Sequence, residues 1–293
     1  MKICDLHTHS IYSDGTLTPC ELAELAKEAN ISAIALTDHN SVGGLDEFME
    51  HTARLGIIGV AGVEFSTEYN GVELHILGLF ITPEHFAAVR EFVGRFTERK
   101  MQSNVTLVNN LARAGYVVDL DGIREKTPDG YVNRAHIAAE LVKNGYVTSV
   151  NEAFSKLLSE KNGFYVPPLR NDAMETIEFI RSIGGISVLA HPFLQLDESE
   201  LRLFLSSAVN HGLDGMETEY SLYSRELIGL SESIAEEFGI LKSGGSDFHG
   251  SNKPDRKIAV GKGNILVPFE YYEKLAQRHD KHCRAASKRS EGK

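Results

Sequence analysis

The sequence predicts an α/β protein whose parallel strands form a sheet or a barrel. Short apolar runs alternate with helical patterns over roughly the first 80 residues and again from about residue 170, as in right-handed βαβ units. Nine histidines and carboxylates lie where the predicted strands end. The open end of a barrel collects side chains from separate strands, so this distribution predicts a polynuclear metal site at that end.

The first part of the chain contains four predicted strands and two predicted helices. Thr18 is the predicted N-cap of the first helix, with Pro19 at its first position and Glu21 completing a capping box. Val72–Gly78 alternates apolar and polar residues, a pattern typical of an edge strand. The other elements are strand Lys2–Leu6, strand Ala33–Leu36, helix Gly44–Leu55 and strand Ile57–Val63, which ends at Glu64.

The strand–helix alternation stops between about Pro83 and Gly163, where helical patterns dominate. Thr97–Gly115 is amphipathic and Tyr131–Gly145 predicts another helix, so we expect a helical insertion of about 65 residues on one barrel loop. The predicted division is 1–98 for the first part of the barrel, 99–165 for the insertion, 166–267 for the second part of the barrel and 268–293 for a basic tail.

After the insertion the α/β pattern resumes. Asp172 is the predicted N-cap of helix Ala173–Ile183. Strands Ile186–Ala190 and Gly215–Thr218 follow, and a further strand is expected after Phe238.

Composition and charge exclude several classes of protein. The formal net charge of −11 argues against a surface that coats nucleic acid, which would be basic. No apolar run approaches the roughly 18 residues of a membrane span, and the first strand leaves no room for a signal peptide. Three cysteines without motif spacing imply no disulfide framework, so we expect a cytoplasmic protein. Gln277–Lys293 holds six Lys and Arg against two acidic residues, and we expect a frayed or disordered, solvated tail rather than an RNA contact.

The candidate ligands occur in six short clusters. His7 and His9 are two residues apart in an extended segment, so both imidazoles point to one side and can reach one ion. Glu64 follows a seven-residue apolar run, and its two oxygens could bridge two cations. Three carboxylates carry −3 and three divalent ions +6, so the loaded site would carry +3 and attract phosphate. The set is His7, His9, Asp14, His39, Glu64, His75, His191, Asp247 and His249.

Other charged residues carry weaker signals. Glu217 and Glu219 lie near a strand end, and the sequence leaves open whether they line the pocket or are solvated. His211 precedes a glycine near a helix end, where the helix dipole favours a histidine. The histidines without a supporting motif, which we expect at the surface, are His51, His85, His279 and His282.

The motifs HTHSIYSDG, LTDHN, GVEFS with LHILG, LAHP and GGSDFHG, in that order, resemble the PHP (polymerase and histidinol phosphatase) family over Met1–Phe80 and about Arg170–Gly263. The resemblance implies a distorted (β/α)7 barrel with a helical insertion domain and three divalent ions at its C-terminal face. Mn²⁺ is the expected metal, with Fe²⁺ or Zn²⁺ as alternatives. The implied ligand sets are His7, His9, Glu64 and Asp247 for one ion, Glu64, His75 and His191 for a second, and Asp14, His39 and His249 for the third.

The insertion resembles that of short bacterial PHP members that act on nucleotides. The resemblance implies that Arg134 and His136 face the metals and hold phosphate, together with Lys161, while Lys156 is a weaker candidate. An arginine fork binds two phosphate oxygens, and a helical cap can close over a small substrate. A solvent-exposed helix face is the alternative for Arg134 and His136.

The predicted function is hydrolysis of a nucleoside 3′,5′-bisphosphate by a metal-bound hydroxide. Asp14, His249, Arg134 and His136 are the predicted catalytic residues, and His136, His249 or a metal-bound water would protonate the leaving group. The alternatives are a 5′-3′ exonuclease on short RNA or DNA oligonucleotides and a histidinol-phosphate phosphatase. An amidohydrolase-type barrel would use one or two ions and a strand-borne lysine, and a non-catalytic metal-binding domain would lack ligands. The expected partner is a small phosphorylated substrate and not a membrane, and the sequence does not determine the oligomeric state.

Overall fold

One sheet curls into a nearly closed barrel. The computed structural model describes residues 2–291, and it describes the side chains of all of these except 129 and 285–291. The strands are β1 (Cys4–Asp5), β2 (Ala33–Leu36), β3 (Ile58–Tyr69), β4 (Val72–Leu79), β5 (Asn171–Asp172), β6 (Ile186–Ala190), β7 (Gly215–Tyr220) and β8 (Leu241–Gly245). Seven of them follow one another around the barrel in the order β1-β2-β3-β4-β6-β7-β8, while β5 pairs with β3. The predicted α/β class and distorted (β/α)7 barrel are confirmed.

Strand β4 is the source of the distortion. The pairs β1–β2, β2–β3, β6–β7 and β7–β8 are parallel, but β4 runs antiparallel to both of its neighbours, β3 and β6. The prediction of an edge strand at Val72–Gly78 was therefore wrong, because β4 is hydrogen-bonded on both sides. Its alternating pattern has another cause: Glu73 and His75 line an internal cleft.

The barrel closes between β1 and β8. The backbone N–H of Leu6 donates to the carbonyl of Gly244 at 3.1 Å, and that of Asp247 donates to the carbonyl of His7 at 2.9 Å. Gly245 permits this approach, because a Cβ at that position would lie 2.5 Å from the Cβ of His7. The closure places the two ligand-bearing chain segments after β1 and β8 side by side.

Helices cover the outside of the barrel and form the insertion. The described helices are α1 (Pro19–Glu28), α2 (Leu45–Leu55), α3 (Phe86–Arg113), α4 (Leu120–Lys126), α5 (Arg134–Lys143), α6 (Val150–Ala153), α7 (Ala173–Ser182), α8 (Glu198–His211), α9 (Arg225–Glu237) and α10 (Phe269–Glu291). Helix α1 has the predicted capping box: the Thr18 hydroxyl accepts from the N–H of Glu21, whose carboxylate accepts from the N–H of Thr18 at 2.8 Å. Helix α7 begins, as predicted, after the N-cap Asp172.

The insertion has a hydrophobic core of its own. Helix α3 is 28 residues long, and the amphipathic segment Thr97–Gly115 covers its C-terminal part and the two residues after its end at Arg113. Leu107 and Leu111 from this part belong to one apolar cluster with Ile137 and Leu141 of α5, and all four side chains are fully buried. The barrel residues form separate apolar clusters. The insertion is therefore a compact cap, while its boundaries at residues 98 and 165 stay a prediction.

The C-terminal segment differs from the expectation. The prediction of a frayed or disordered segment from Gln277 was wrong, because α10 continues to the end of the described residues; residues 292–293 lie outside them. Leu275 of α10 is fully buried, and Arg278 donates to the buried carboxylate of Asp214 at 3.3 Å. The apolar residues that pack α10 against the barrel precede Gln277, so the composition of the basic segment does not indicate that the helix is packed. No described helix combines the length and apolar character needed to cross a membrane.

Candidate metal centre

The ends of the barrel strands bring all nine predicted ligands together. Seven come from loops: His7, His9 and Asp14 after β1, His39 after β2, His191 after β6, and Asp247 and His249 after β8. The prediction that the third strand ends at Glu64 was wrong, because β3 continues to Tyr69 in an antiparallel hairpin with β4. The parallel ladder between β2 and β3 stops at Ala61, however, so Glu64 still lies where the parallel sheet ends.

Unusual backbone conformations accompany the ligands. His191 and Asp247 have φ angles of 30° and 51°, and Asn40, next to His39, also has a φ of 51°. Non-glycine residues rarely adopt this left-handed region, and those that do cluster at functional sites. Here the turns lie in the loops that follow β2, β6 and β8, at residues that are predicted ligands or adjoin one.

Glu64 is the centre of the cluster and is fully buried. Its Oε1 lies 2.7 Å from Nδ1 of His75 and 3.0 Å from Nε2 of His191. Its Oε2 faces three other imidazoles at 3.0 to 3.2 Å, those of His7, His9 and His39. The two oxygens therefore face different sets of histidines, as expected of a carboxylate shared between two cations.

Asp14 is the centre of a second group of ligands. Its Oδ1 lies 3.2 Å from Nε2 of His249, 3.7 Å from Nε2 of His39 and 3.9 Å from Nδ1 of His9. The Oδ1 of Asp247 lies 3.2 Å from Nδ1 of His249 and 3.3 Å from Nε2 of His9. The Asp14 and Glu64 groups are contiguous, because His9 and His39 contact both.

Three sets of ligand atoms are compact enough to hold an ion each, with all atoms of a set within 4.8 Å of one another. These compact sets overlap with the ligand sets that the family resemblance implies, but their members differ. In the structure His9 also lies with Asp14, and His39 also lies with Glu64 and His75. The sets are His7, His9 and Glu64; His39, Glu64 and His75; and His9, Asp14, His39 and His249. The geometry brings the predicted ligands together without dividing them uniquely among ions.

Buried polar atoms without a hydrogen-bond partner test whether these residues fit a metal. Among the described side chains, four such atoms belong to the ligands: Asp14 Oδ1, His39 Nδ1, Glu64 Oε2 and His249 Nε2. Each unpaired buried group costs about 1–3 kcal/mol, so folded proteins avoid them. A cation would satisfy all four, because each can offer a lone pair of a type that binds Mn²⁺, Fe²⁺ or Zn²⁺. Two ligands on one ion at bonds of about 2.1 Å and right angles would lie about 3 Å apart, which matches the separations around Glu64.

The carboxylates at the site remain ionised. Burial alone would raise the pKa of Glu64, but the surrounding imidazoles of His39, His7 and His75 lower it well below its usual value. Burial would likewise raise the pKa of Asp14, and the neighbouring imidazoles again outweigh it and lower the pKa. Both side chains are therefore available as anionic ligands at neutral pH.

Glu217 supports His7 from behind. Its Oε1 lies 3.0 Å from Nδ1 of His7, and its Oε2 accepts the backbone N–H of His191 at 2.7 Å. A carboxylate on the far nitrogen of an imidazole fixes the tautomer and the ring orientation for metal binding. Glu217 is fully buried behind His7, so it is neither solvated nor part of the cleft lining, and it adds a fourth carboxylate beside the predicted ligands. Glu219 instead accepts the backbone N–H of Leu266 at 2.9 Å.

Asp247 is anchored by residues that the sequence motifs did not indicate. The hydroxyl of Tyr220 donates to its Oδ2 at 2.7 Å, Nζ of Lys253 lies 3.2 Å from the same oxygen, and Arg256 also contacts it. These three contacts hold Oδ2, while Oδ1 faces the histidines. Lys253 and Arg256 follow the GGSDFHG motif at no recognisable spacing, so their contact with Asp247 could not be predicted from the sequence.

A cleft lies between the ligands and the cap. Arg134, the first residue of α5, places its guanidinium 4.0 Å from the ring centroid of Tyr165 and donates to the carbonyl of Leu158 at 3.2 Å. Lys100 of α3 and Arg170, just before β5, line the same cleft. Sequence reasoning missed both, because they lie far from every motif. The cleft lining also includes the ligands Asp14, His39 and His75.

The other predicted phosphate-binding residues lie outside the cleft lining. His136 borders a neighbouring depression beside α4, and its Nδ1 accepts the backbone N–H of Asn133 at 3.1 Å, so the ring proton resides on Nε2. Burial lowers the pKa of His136, which keeps the ring neutral at neutral pH. Lys161 is exposed in a 3₁₀ turn, and Lys156 is exposed and pairs with Glu152 at 2.6 Å. Of the three predicted phosphate ligands, Arg134 is the one that lines the cleft.

Comparison with known proteins finds a matching family profile, similar sequences and similar folds. The family profile described as the PHP domain matches residues 5–165. A 5′-3′ exoribonuclease of Haemophilus influenzae is 33% identical over 91% of this chain and 96% of its own length. A 3′,5′-nucleoside bisphosphate phosphatase of Chromobacterium violaceum is 30% identical over 88% of this chain and 91% of its own length. A solved structure of a proposed metal-dependent phosphoesterase from Bifidobacterium adolescentis superimposes with a TM-score of 0.85 at 25% identity, covering 94% of this chain and 96% of the other.

Proposed function

The chain belongs to the PHP family and is a metal-dependent phosphoesterase, and we propose that it removes phosphate from a nucleoside 3′,5′-bisphosphate at a trinuclear metal centre. The observation that carries the proposal is the double role of Glu64. Its two oxygens face two sets of histidines, and its Oε2 is one of the four ligand atoms that have no hydrogen-bond partner. The cleft that reaches these ligands also contains Arg134, a cation suited to phosphate.

The proposed metal ligands are those implied by the family resemblance. His7, His9, Glu64 and Asp247 would hold one ion, Glu64, His75 and His191 a second, and Asp14, His39 and His249 the third. The contacts of Glu64 with His75 and His191 on one oxygen, and with His7 and His9 on the other, support its proposed bridging position. When bound, Mn²⁺ or alternatively Fe²⁺ or Zn²⁺ would acidify a water molecule and withdraw charge from the phosphate.

The protein's own residues bind and orient the substrate. Arg134 lines the cleft with its guanidinium packed on Tyr165, so it can neutralise two oxygens of the phosphate that is hydrolysed. Burial lowers the pKa of His249 to about 4, with help from the charges of Lys253 and His9. His136 is also neutral at neutral pH. His249 and His136 are therefore better suited to bind a metal ion or donate a hydrogen bond than to act as a general acid. Of the proton donors proposed from the sequence, this favours a metal-bound water.

The substrate class follows from the cleft and the relatives. A cap that closes over cationic residues suits a small anionic substrate, and one relative is named as a bisphosphate phosphatase. The second candidate is a 5′-3′ exonuclease on short RNA or DNA oligonucleotides, favoured by the exoribonuclease relative that this chain covers almost completely. We also propose a cytoplasmic location, supported by the absence of a disulfide among Cys4, Cys20 and Cys283 in the described part of the chain.

Phosphate or nucleotide release by the Mn²⁺-reconstituted protein tests this proposal. Three substrates are compared: adenosine 3′,5′-bisphosphate, a 5′-phosphorylated RNA oligomer and histidinol phosphate. We expect the highest kcat/KM on the bisphosphate, lower values on the RNA oligomer and the lowest on histidinol phosphate. Fastest turnover of histidinol phosphate, or no turnover of either nucleotide substrate, would refute the proposed substrate class. The matched control is Glu64→Gln, which keeps the size of the side chain and removes its charge.

A further inference from the structure

Two buried hydrogen-bond donors in the cleft have no partner among the described residues: Nδ2 of Asn133 and Nε of Arg170. Asn133 is 5% exposed and the side chain of Arg170 is 6% exposed, so bulk water does not satisfy these groups. The unpaired atoms of the metal centre can offer lone pairs, which a cation satisfies. These two atoms instead carry hydrogens, which an anion satisfies.

The orientation of the Asn133 amide follows from its neighbour. Its Oδ1 accepts a hydrogen bond from Nζ of Lys100. An ammonium group has no acceptor, so the amide oxygen must face Lys100 and the NH₂ group must face away from it. Lys100 is itself held by a hydrogen bond to the hydroxyl of Tyr131 at 3.0 Å, with Nζ 4.5 Å from the centre of that ring. The donors are therefore held in place by the protein.

The N-terminus of α5 adds to the same feature. Asn133 is the N-cap of this ten-residue helix, and the first N–H groups and the dipole of a helix favour an anion. Arg134 follows directly and lines the cleft. Glu73 is a carboxylate in the lining, but Nη2 of Arg170 donates to it at 2.6 Å, which balances its charge and leaves Nε of Arg170 unused.

We propose that Lys100, Asn133 and Arg170 bind a second phosphate group of the substrate, one that is not hydrolysed. This inference rests on the proposed function and names the part of the substrate that the cap recognises. A nucleoside 3′,5′-bisphosphate would place one phosphate at the ligands and the other at this cap-side cluster. A 5′-phosphorylated RNA contains the same unit, because the ribose of its first nucleotide has a 5′-phosphate and a 3′-phosphodiester. One anion site thus serves both substrate classes.

Kinetics on matched substrates test the proposal. Adenosine 3′,5′-bisphosphate and adenosine 3′-monophosphate differ in the second phosphate alone, and we expect the wild-type protein to favour the bisphosphate at least about a hundredfold in kcat/KM. Asn133→Asp keeps an effective N-cap but replaces the buried donor, and Lys100→Met removes the charge. Each should reduce that preference at least about tenfold, the value of one charge-assisted hydrogen bond. Arg113→Met, on an exposed face of α3, is the charge-matched control and should leave the preference unchanged.

Equal losses on both substrates in these variants, or a wild-type protein without a preference, would overturn the proposal. Binding of adenosine 5′-monophosphate to the EDTA-treated protein, measured by calorimetry against adenosine, gives a readout that needs no hydrolysis. The Asn133→Asp protein should bind this nucleotide at least about tenfold more weakly than the wild type. Absence of phosphate release would count against the proposed function, whereas nucleotide binding that neither variant weakens would count against the second phosphate site.

Discussion

Glu217 contacts Nδ1 of His7 at 3.0 Å, on the side of the imidazole ring opposite Glu64, whose Oε2 lies 3.2 Å from Nε2 of the same ring. Burial lowers the pKa of His7, but the negative charges of Glu64 and Glu217 outweigh it and raise the pKa well above its ordinary value. The histidine is thus held between two buried carboxylates, one of which would share the ion. Glu217 would orient a predicted ligand, His7, without being a predicted ligand itself.

Replacement of Glu217 should weaken metal binding while leaving every ligand in place. We expect Glu217→Ala to lower the affinity for Mn²⁺ by about 10–100-fold, the usual cost of losing such a supporting carboxylate. Glu217→Gln, which can still accept the hydrogen bond from Nδ1 of His7, should recover part of this loss. Metal titration of the two purified variants measures the effect. Wild-type affinity in Glu217→Ala would show that the contact does not position His7.

Asp14→Asn should abolish turnover without disturbing the fold. Oδ1 of Asp14 is buried and has no hydrogen-bond partner among the described residues, so we expect its replacement to act on metal binding rather than on the backbone fold. We expect kcat to fall by roughly 10²–10³-fold or more, by analogy with the removal of one electrostatic contact to a transition state. The circular dichroism spectrum of the metal-free variant should match that of the wild type. Retained activity would contradict the role proposed for Asp14.

Arg134 and Lys161 provide a direct comparison of two predicted phosphate ligands. Arg134 lines the cleft and is held by Tyr165, whereas Lys161 is exposed outside the described cleft lining. Arg134→Met should lower kcat/KM on a nucleotide substrate by roughly 10²–10⁴-fold, because a charged hydrogen bond contributes about 1.5–3 kcal/mol and Arg134 can form two. Lys161→Met should change it less than about threefold. A larger effect at Lys161 than at Arg134 would mean that the cap closes differently over the substrate.

Metal binding should depend steeply on pH. Burial lowers the pKa of His9, but the adjacent carboxylates of Asp247 and Glu64 outweigh it and raise the pKa to about 9 in the metal-free protein. Burial likewise lowers the pKa of His75, but the negative charge of Glu64 outweighs this effect and raises the pKa to about 10. Below these values both imidazoles carry a proton that must leave before the nitrogen can bind an ion.

Affinity for Mn²⁺ should therefore increase as the pH rises from about 6 to about 8, because fewer protons then compete with the ion. The increase is up to about a hundredfold per pH unit if two protons are displaced together. Calorimetric titration in buffers with different ionisation enthalpies would count the released protons. An affinity that does not change over this pH range would show that the two histidines are already neutral in the metal-free protein.

The sequence was sufficient to predict most of the barrel and the clustering of the nine candidate ligands, because their signals are local. Thr18 with Glu21 specifies a helix start, and the two-residue spacing of His7 and His9 predicts that both imidazoles reach one site. The antiparallel course of β4 was not predictable in this way. Glu73 and His75 alternate with apolar residues as they would on an exposed edge, and alternation does not distinguish a cleft from solvent.

The cap side of the site was predicted least well, because it depends on contacts between distant segments. Lys100 reaches Asn133 across 33 positions, and Arg170 reaches Glu73 across 97, and no local pattern signals either contact. Lys161 illustrates the opposite error, a basic residue close to the motif in sequence but exposed in the fold. Spacing predicts which residues share a strand or a helix face, whereas the cleft is formed by the packing of α3, α5 and the barrel.

The number of metal ions per chain tests the central claim most directly. The wild-type protein, loaded with Mn²⁺ and freed of excess metal, is measured by inductively coupled plasma mass spectrometry beside Glu64→Gln prepared in the same way. We predict about three ions per wild-type chain and fewer in the variant, because Glu64 is proposed to contact two of them. One ion or none in the wild-type protein, or equal content in both proteins, would contradict a trinuclear centre built around Glu64.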